Sequence, residues 1–218
     1  MVDWAGHARR EDERYRDGEA RLPDTGDQDA RQRQLARMGN AAAGAGLAML
    51  MAGDTTKARE WFARAVERYR ESYDLAPAGS WGRPIGILKV RILGGDWEGA
   101  EADARWTLEQ GVVETESPIG RYAGTLALLV LGRDEEARVL ADDLRLREDF
   151  PASVGDALAF LAAHDPPGYV EAIEAVLESF ERREEYLEDL PVADTVVVLQ
   201  ALAARRDMSA ELSSLLLP

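Results

Sequence analysis

Cysteine is absent from the 218 residues, and lysine and histidine occur only twice each. Without cysteine there is no disulfide staple, no Cys-ligated zinc, no iron–sulfur cluster and no thiol nucleophile. The two histidines, His7 and His164, stand 157 positions apart, which argues against a histidine-based metal site. Positive charge is scarce too: 26 Lys+Arg face 41 Asp+Glu, a net charge of −15. Nothing supplies the basic stripe that releases counterions from DNA or RNA, so no nucleic-acid partner is expected. Long apolar runs are missing. The longest, Ala41 to Ala52, falls short of the roughly 20 residues a bilayer span needs. The charged start, MVDWAGHARREDERYRDG, has no apolar core and no small-residue cleavage site. The expectation is a soluble, cytoplasmic chain without a membrane partner.

The basic residues divide into 24 Arg and two Lys, Lys57 and Lys89. With the excess of acids and the scarce Ile, this composition resembles that of proteins from salt-loving archaea. That resemblance implies that the net charge serves solubility under screening salt rather than marking a partner.

What is present is helical periodicity. Trp61, Phe62, Ala65, Val66 and Tyr69 recur at three- and four-residue spacing, while Arg59, Glu60, Arg64, Glu67, Arg68 and Glu71 fill the opposite face. No stretch sustains strand-type alternation. The β-branched run Thr195–Leu199 continues into QALAARR with helical spacing and is read as helix. Polar loops are expected at Leu22–Asp29 and Ala76–Ser80. Ser117-Pro118 and Asp165-Pro166-Pro167 mark helix starts. Tight junctions at Gly53-Asp54, Gly95-Asp96 and Gly132-Arg133-Asp134 place a glycine to end one helix and an aspartate to cap the next.

Those junctions are in register with one another. The segments that follow them align on Ala58, Ala100 and Ala137, then on Phe62, Ala104 and Ala141, then on Ala65, Thr107 and Leu144. A weaker fourth copy carries Ala172, Val176 and Ser179. A helical pair recurring at this period predicts stacked α-hairpins, each burying its face against its neighbours.

On these residues the chain resembles the tetratricopeptide repeat over residues 32–188. In the first copy Gly46, Ala58, Phe62 and Ala65 stand at the family's offsets; the second copy has Leu88 and Ala104 where the glycine and the aromatic belong, and the third has Thr125 and Ala141. The resemblance implies an all-α fold of nine or ten helices, with antiparallel pairs stacked as a right-handed α-α superhelix. The chain is read as one domain, 1–218, with an N-terminal helix and polar loop (1–30), helical-hairpin repeats (31–188) and a C-terminal capping helix and tail (189–218). The last 55 residues, through Asp165, Tyr169, Tyr186, Ala201, Ala203 and Pro218, also resemble the end of the immunity protein 49 family of toxin-neutralising helical proteins.

Charge is segregated. Gln32–Gly53, Leu75–Gly95 and Ser117–Arg133 contain no acid but carry Arg33, Arg37, Arg83, Lys89, Arg91, Arg121 and Arg133. Two explanations stand side by side. Buried helices lack charge in any case; alternatively, these helices line a neutral-to-basic groove suited to an acidic segment. In the groove reading the partner-binding residues are Trp81, Arg83, Lys89, Arg91, Arg121 and Tyr122, the composition of an interface hot spot. Trp81 and Tyr122 also suit helix stapling. Trp4, Ala8, Glu11 and Tyr15 form a helical face in the N-terminal segment, read either as a cap or as an arm.

No nucleophile elbow, P-loop, H-E-x-x-H or dinucleotide fingerprint occurs. His164 and Asp165, neighbours in sequence, do not face each other on a helix, and Asp165 is placed to cap. The expected function is non-catalytic protein–protein interaction by a scaffold or adaptor binding a protein or peptide segment, with no cofactor. A toxin-neutralising immunity protein and a small helical enzyme or ligand-binding protein are the alternatives.

Overall fold

A computed structural model describes residues 2–22, 26–186 and 189–218, and among these the chain is all-α, with ten helices. They fall into two compact units: the described residues of 1–94, 185–192 and 218, and residues 95–184 with 193–217. Residues 23–25 of the expected loop at Leu22–Asp29, and residues 187 and 188 at the expected end of the hairpin repeats, lie outside the described residues.

The first unit holds α1 (Trp4–Arg21), α2 (Gln28–Met51), α3 (Thr55–Leu75) and α4 (Gly82–Leu93), each packed on the next. Aspartates open three of them. Asp3, Asp27 and Asp54 accept the backbone N–H of Gly6, Ala30 and Lys57, satisfying donors that the first turn leaves unpaired. Gly53, at φ +80°, ends α2 in the left-handed conformation that glycine adopts without strain.

What fixes the spacing of α2, α3 and α4 is a double slot. The Tyr69 ring of α3 lies between Gly39 of α2 and Gly86 of α4; a methyl on either glycine would stand 2.6 or 2.8 Å from it. One heptad earlier, Phe62 sits against Gly46, where a methyl would be 2.4 Å away, with Gly94 on its other side. Both rings are buried, and the Tyr69 hydroxyl donates to Asn40 at 2.9 Å. Glycine here is a packing residue: its missing side chain is the space the aromatic fills.

The undecided N-terminal segment is docked. Ala8, Glu11, Tyr15 and Gly18 form the buried face of α1, and Tyr15 meets Trp61 edge-on at 5.6 Å while accepting a hydrogen bond from Arg68. Glu11 is fully buried against Gly44 of α2 and is held by Arg14, whose Nη1 reaches both carboxylate oxygens at 3.2 and 3.0 Å. Leu190 and Val192 close this unit by packing on Ala8 and Ala48.

The second unit comprises α5 (Trp97–Glu109), α6 (Pro118–Val130), α7 (Asp134–Arg145), α8 (Ala152–Ala162), α9 (Pro166–Glu181) and α10 (Asp194–Ala204). Asp96, Ser117 and Asp165 cap α5, α6 and α9 as their positions predict. Asp134 does not cap α7. Arg133 occupies the cap position, because the extra residue in Gly132-Arg133-Asp134 carries the aspartate into the first turn. Every residue from Tyr122 to Val130 is buried, so burial accounts for the missing acids of α6. Of the aligned repeat positions, all but Ser179 are buried. At Gly155 the backbones of α7 and α8 nearly touch; a methyl there would lie 2.7 Å from the Arg145 Cα.

After α10 the chain runs extended. Met208, Ala210, Leu212, Ser214 and Leu216 turn inward, while Ser209, Glu211, Ser213 and Leu215 turn out, the two-residue period of a strand. Its hydrogen bonds go to helices. Gln200 of α10 accepts from the Ala210 N–H at 3.1 Å and donates to the Ala210 carbonyl at 2.6 Å, and the buried Tyr169 of α9 donates to the same Gln200 oxygen at 3.0 Å.

Candidate functional site

The six residues expected to bind a partner divide between the units. Trp81, Arg83, Lys89 and Arg91 belong to the first; Arg121 and Tyr122 belong to the second.

In the first unit, Trp81 stands at the start of α4 and is buried. Arg83 joins three helices: its Nε donates to the Ser72 hydroxyl at 3.2 Å, its Nη2 donates to the Gln32 side-chain oxygen, and Ser72 donates onward to the Gln32 carbonyl at 2.7 Å. Loss of hydration pulls the Arg83 pKa down, as expected for a cation withdrawn from water. Lys89 and Arg91 are half-buried, alternating with the buried Leu88, Val90 and Ile92. Of the other basic groups on the acid-free helices, Arg33 pairs with Asp29, Arg37 donates to Gln34, and Arg133 pairs with Glu136.

In the second unit, the Arg121 Nε faces Asp143 Oδ2 at 3.2 Å, tying the start of α6 to the end of α7. Tyr122 is buried with its ring 5.6 Å from Phe150. Trp81 and Tyr122 are thus buried at the starts of α4 and α6, and Arg83 and Arg121 make polar contacts inside their units.

Two features escape a reading by spacing. The first is a cluster assembled from distant positions. The Asp134 carboxylate takes two bonds from Arg206, whose side chain is 6% exposed, and one from His164 Nε2 at 2.7 Å. Arg206 also donates to the Leu129 carbonyl at 2.7 Å and the Leu202 carbonyl at 3.0 Å. Burial alone would raise the Asp134 pKa; the bonds from Arg206 and His164 outweigh it and hold the carboxylate below its ordinary value. His164 sits at φ +53°, in the turn position that Gly53, Gly95 and Gly132 fill elsewhere. An aspartate that orients a histidine is half of an acid–base device. Here the charge is already neutralised by Arg206, so the arrangement braces the α8–α9 turn more than it activates an imidazole.

The second is the outward face of α7. Val139 and Leu146, one heptad apart, are 68% and 84% exposed. Their neighbours on that face are Glu135, Arg138 and Asp142. Large apolar groups left this far in water stand out on an otherwise amphipathic helix. The sequence shows them only as off-face positions of the Asp134–Arg145 pattern.

Among the described residues no group of three or more His, Asp or Glu is placed to hold a metal ion, and no helix is long and apolar enough to cross a membrane. No family model, curated protein or solved structure matches the chain.

Proposed function

We propose that this chain is a non-catalytic protein-interaction module that binds a segment of a partner protein. The observation that carries the reading is the exposed pair of Val139, on α7, and Leu146, the residue that caps its end. Covering two such side chains contributes about 1.5–3 kcal/mol each, and both now stand in water at the cost of that energy. The charged groups beside them give the patch the polar rim of a transient interface. Tetratricopeptide-like stacking of the helix pairs into a superhelix belongs to the same reading; it is supported by burial of the aligned repeat positions and by the Gly46–Phe62 contact. The acidic-segment version of the partner rests on Lys89 and Arg91, half-buried on α4.

The test uses the full-length protein as bait in native lysate at matched salt, alongside Val139→Asp/Leu146→Asp and Lys89→Glu/Arg91→Glu. A partner held by the wild type and lost with the first pair, while the helical circular-dichroism signal is unchanged, supports the reading. Loss with the second pair supports the acidic-segment version. If no protein distinguishes the wild type from either variant, the reading fails.

A further inference from the structure

The C-terminal segment is bound the way a foreign peptide is bound. From Met208 to Ser214 it runs without helix or turn, with alternate side chains inward, and it turns at Leu215–Leu216; its neighbours are helices and no strand pairs with it among the described residues. Recognition is by main chain at two places. Gln200 reads both the N–H and the carbonyl of Ala210. Six residues on, the Ala193 N–H, at the start of α10, donates to the Leu216 carbonyl at 2.9 Å. Between them the Ser214 hydroxyl donates to Glu181 of α9 at 2.7 Å.

The receiving surface is formed by side chains of α9 and α10. Tyr169 is fully buried, and its hydroxyl donates to the Gln200 oxygen at 3.0 Å, fixing which end of the amide faces the peptide. Burial pushes the Tyr169 pKa far up, so the hydroxyl keeps its proton and remains a donor. A side-chain amide orientated in this way offers one donor and one acceptor, the pattern a neighbouring strand presents, and does not depend on which side chain the ligand carries at that place. The hold on the segment is modest: Met208 and Ala210 are its buried side chains, and Leu215 is 88% exposed. Asp207, just before it, sits at φ +55° in the turn that ends α10, where the Met208 N–H donates to the Ala203 carbonyl at 3.0 Å.

We infer that the face formed by α9 and α10 is a peptide-receiving groove, filled in cis by residues 208–216 and opened in trans to an extended partner segment of the same pattern. That pattern is a small residue facing Gln200, a hydroxyl four residues later for Glu181, and apolar side chains at the other inward positions, as in Met208, Leu212 and Leu216. The inference deepens the interaction reading by naming a second binding place and the form of its ligand, and it rests on that reading. In the resting chain the tethered segment competes at an effective concentration on the order of millimolar, so a free segment binds well only when the tether's own contact is broken.

The test breaks that contact from the segment's side. Ala210→Pro in the full-length protein removes the N–H that Gln200 accepts and leaves the groove intact. The probe is a fluorescein-labelled synthetic peptide of residues 207–218, followed by fluorescence anisotropy. The expected result is binding at least tenfold tighter to Ala210→Pro than to wild type. Binding should be lost in Gln200→Ala/Ala210→Pro, and lost when the peptide itself carries proline at the position of Ala210. Equal binding to wild type and Ala210→Pro overturns the inference, as does indifference to Gln200. Where Ala210→Pro loses its helical signal, Leu216→Glu frees the far end of the segment and takes its place. A wild-type chain that dimerises with rising concentration through exchange of this segment would assign the groove to a second copy and overturn the partner assignment. Failure of the peptide to bind, while capture through Val139 and Leu146 persists, removes the groove alone and leaves the interaction reading standing.

Discussion

Asp134 and Arg206, 72 residues apart, form a largely buried ion pair of the second unit: Arg206 Nε donates to Asp134 Oδ2 at 3.2 Å, and a shorter bond joins Nη2 to Oδ1. Arg206 is 6% exposed and Asp134 17%. A pair withdrawn this far from water is worth most when broken, because the survivor is left uncompensated.

Asp134→Asn is expected to destabilise the protein by about 3 kcal/mol, the lower end of the range for orphaning a buried charge. Arg206→Met should cost less, since Asp134 retains His164 and a partial path to water. Urea denaturation at neutral pH ranks the two variants, and equal or reversed costs would count against the pair as the anchor.

The same carboxylate sets an acid dependence. Its pKa is held below the ordinary 3.8 in the folded chain, so the folded state binds the proton less readily than the unfolded one. The stabilisation is complete above about pH 4 and is lost as pH falls through the depressed folded value. Melting curves between pH 2 and 6 should therefore fall more steeply for wild type than for Asp134→Asn in the acid limb. Parallel limbs would show that Asp134 contributes nothing there.

At the α8–α9 turn, His164 occupies a left-handed position at φ +53°. Left-handed backbone costs a residue with a Cβ about 1–2 kcal/mol relative to glycine. His164→Ala should lose the Asp134 bond and retain the strain, whereas His164→Gly loses the bond and sheds the strain. Glycine is thus expected to be more stable than alanine at this site by about 1 kcal/mol. Thermal denaturation of the two variants measures that difference directly.

Gly39→Ala and Gly86→Ala each drive a methyl into the Tyr69 ring, at 2.6 and 2.8 Å. Overpacking of this kind costs about 1–3 kcal/mol. Gly155→Ala should cost more than either, because what it meets at 2.7 Å is backbone of Arg145, which cannot swing aside. Gly82→Ala, with open space around it, is the control and should be within about 0.5 kcal/mol of wild type.

The helices were readable from the chain itself because their causes are local. Ser117-Pro118, Asp165-Pro166 and the Gly-Asp junctions put caps and stops within four residues of each other, and Phe62 stands in register with Ala104 and Ala141. Gly86 was not readable as the far wall of the Tyr69 slot, because it lies between Ile85 and Ile87 and off the repeat register. The grouping of Asp134, His164 and Arg206 was hidden for a different reason: its members come from three turns and meet only through the packing of α7, α8 and α10. The extended tail was masked by composition. With Ser at both inward and outward positions and Leu from 215 to 217, its alternation shows in burial and not in residue type. The charge segregation was visible, but its meaning depended on burial. Tyr122–Val130 is enclosed, and Arg83 and Arg121 are tied within their own units.

The buried Glu11 has a consequence for how the chain finds this arrangement. The side of α2 that receives α1 carries Ala48 against Ala8, and Met38 and Gln34 against Gly18, and small-residue contact of the Ala8–Ala48 kind would by itself discriminate little between alignments a turn apart. Gly44 is a notch that the Glu11 carboxylate fills, with Arg14 and Arg10 both donating to it. Any other alignment strands a charge on hydrocarbon, at several kcal/mol. An ion pair that adds little net stability can thereby act as a proofreading mark, discarding misaligned helix pairings that alanine could not tell apart.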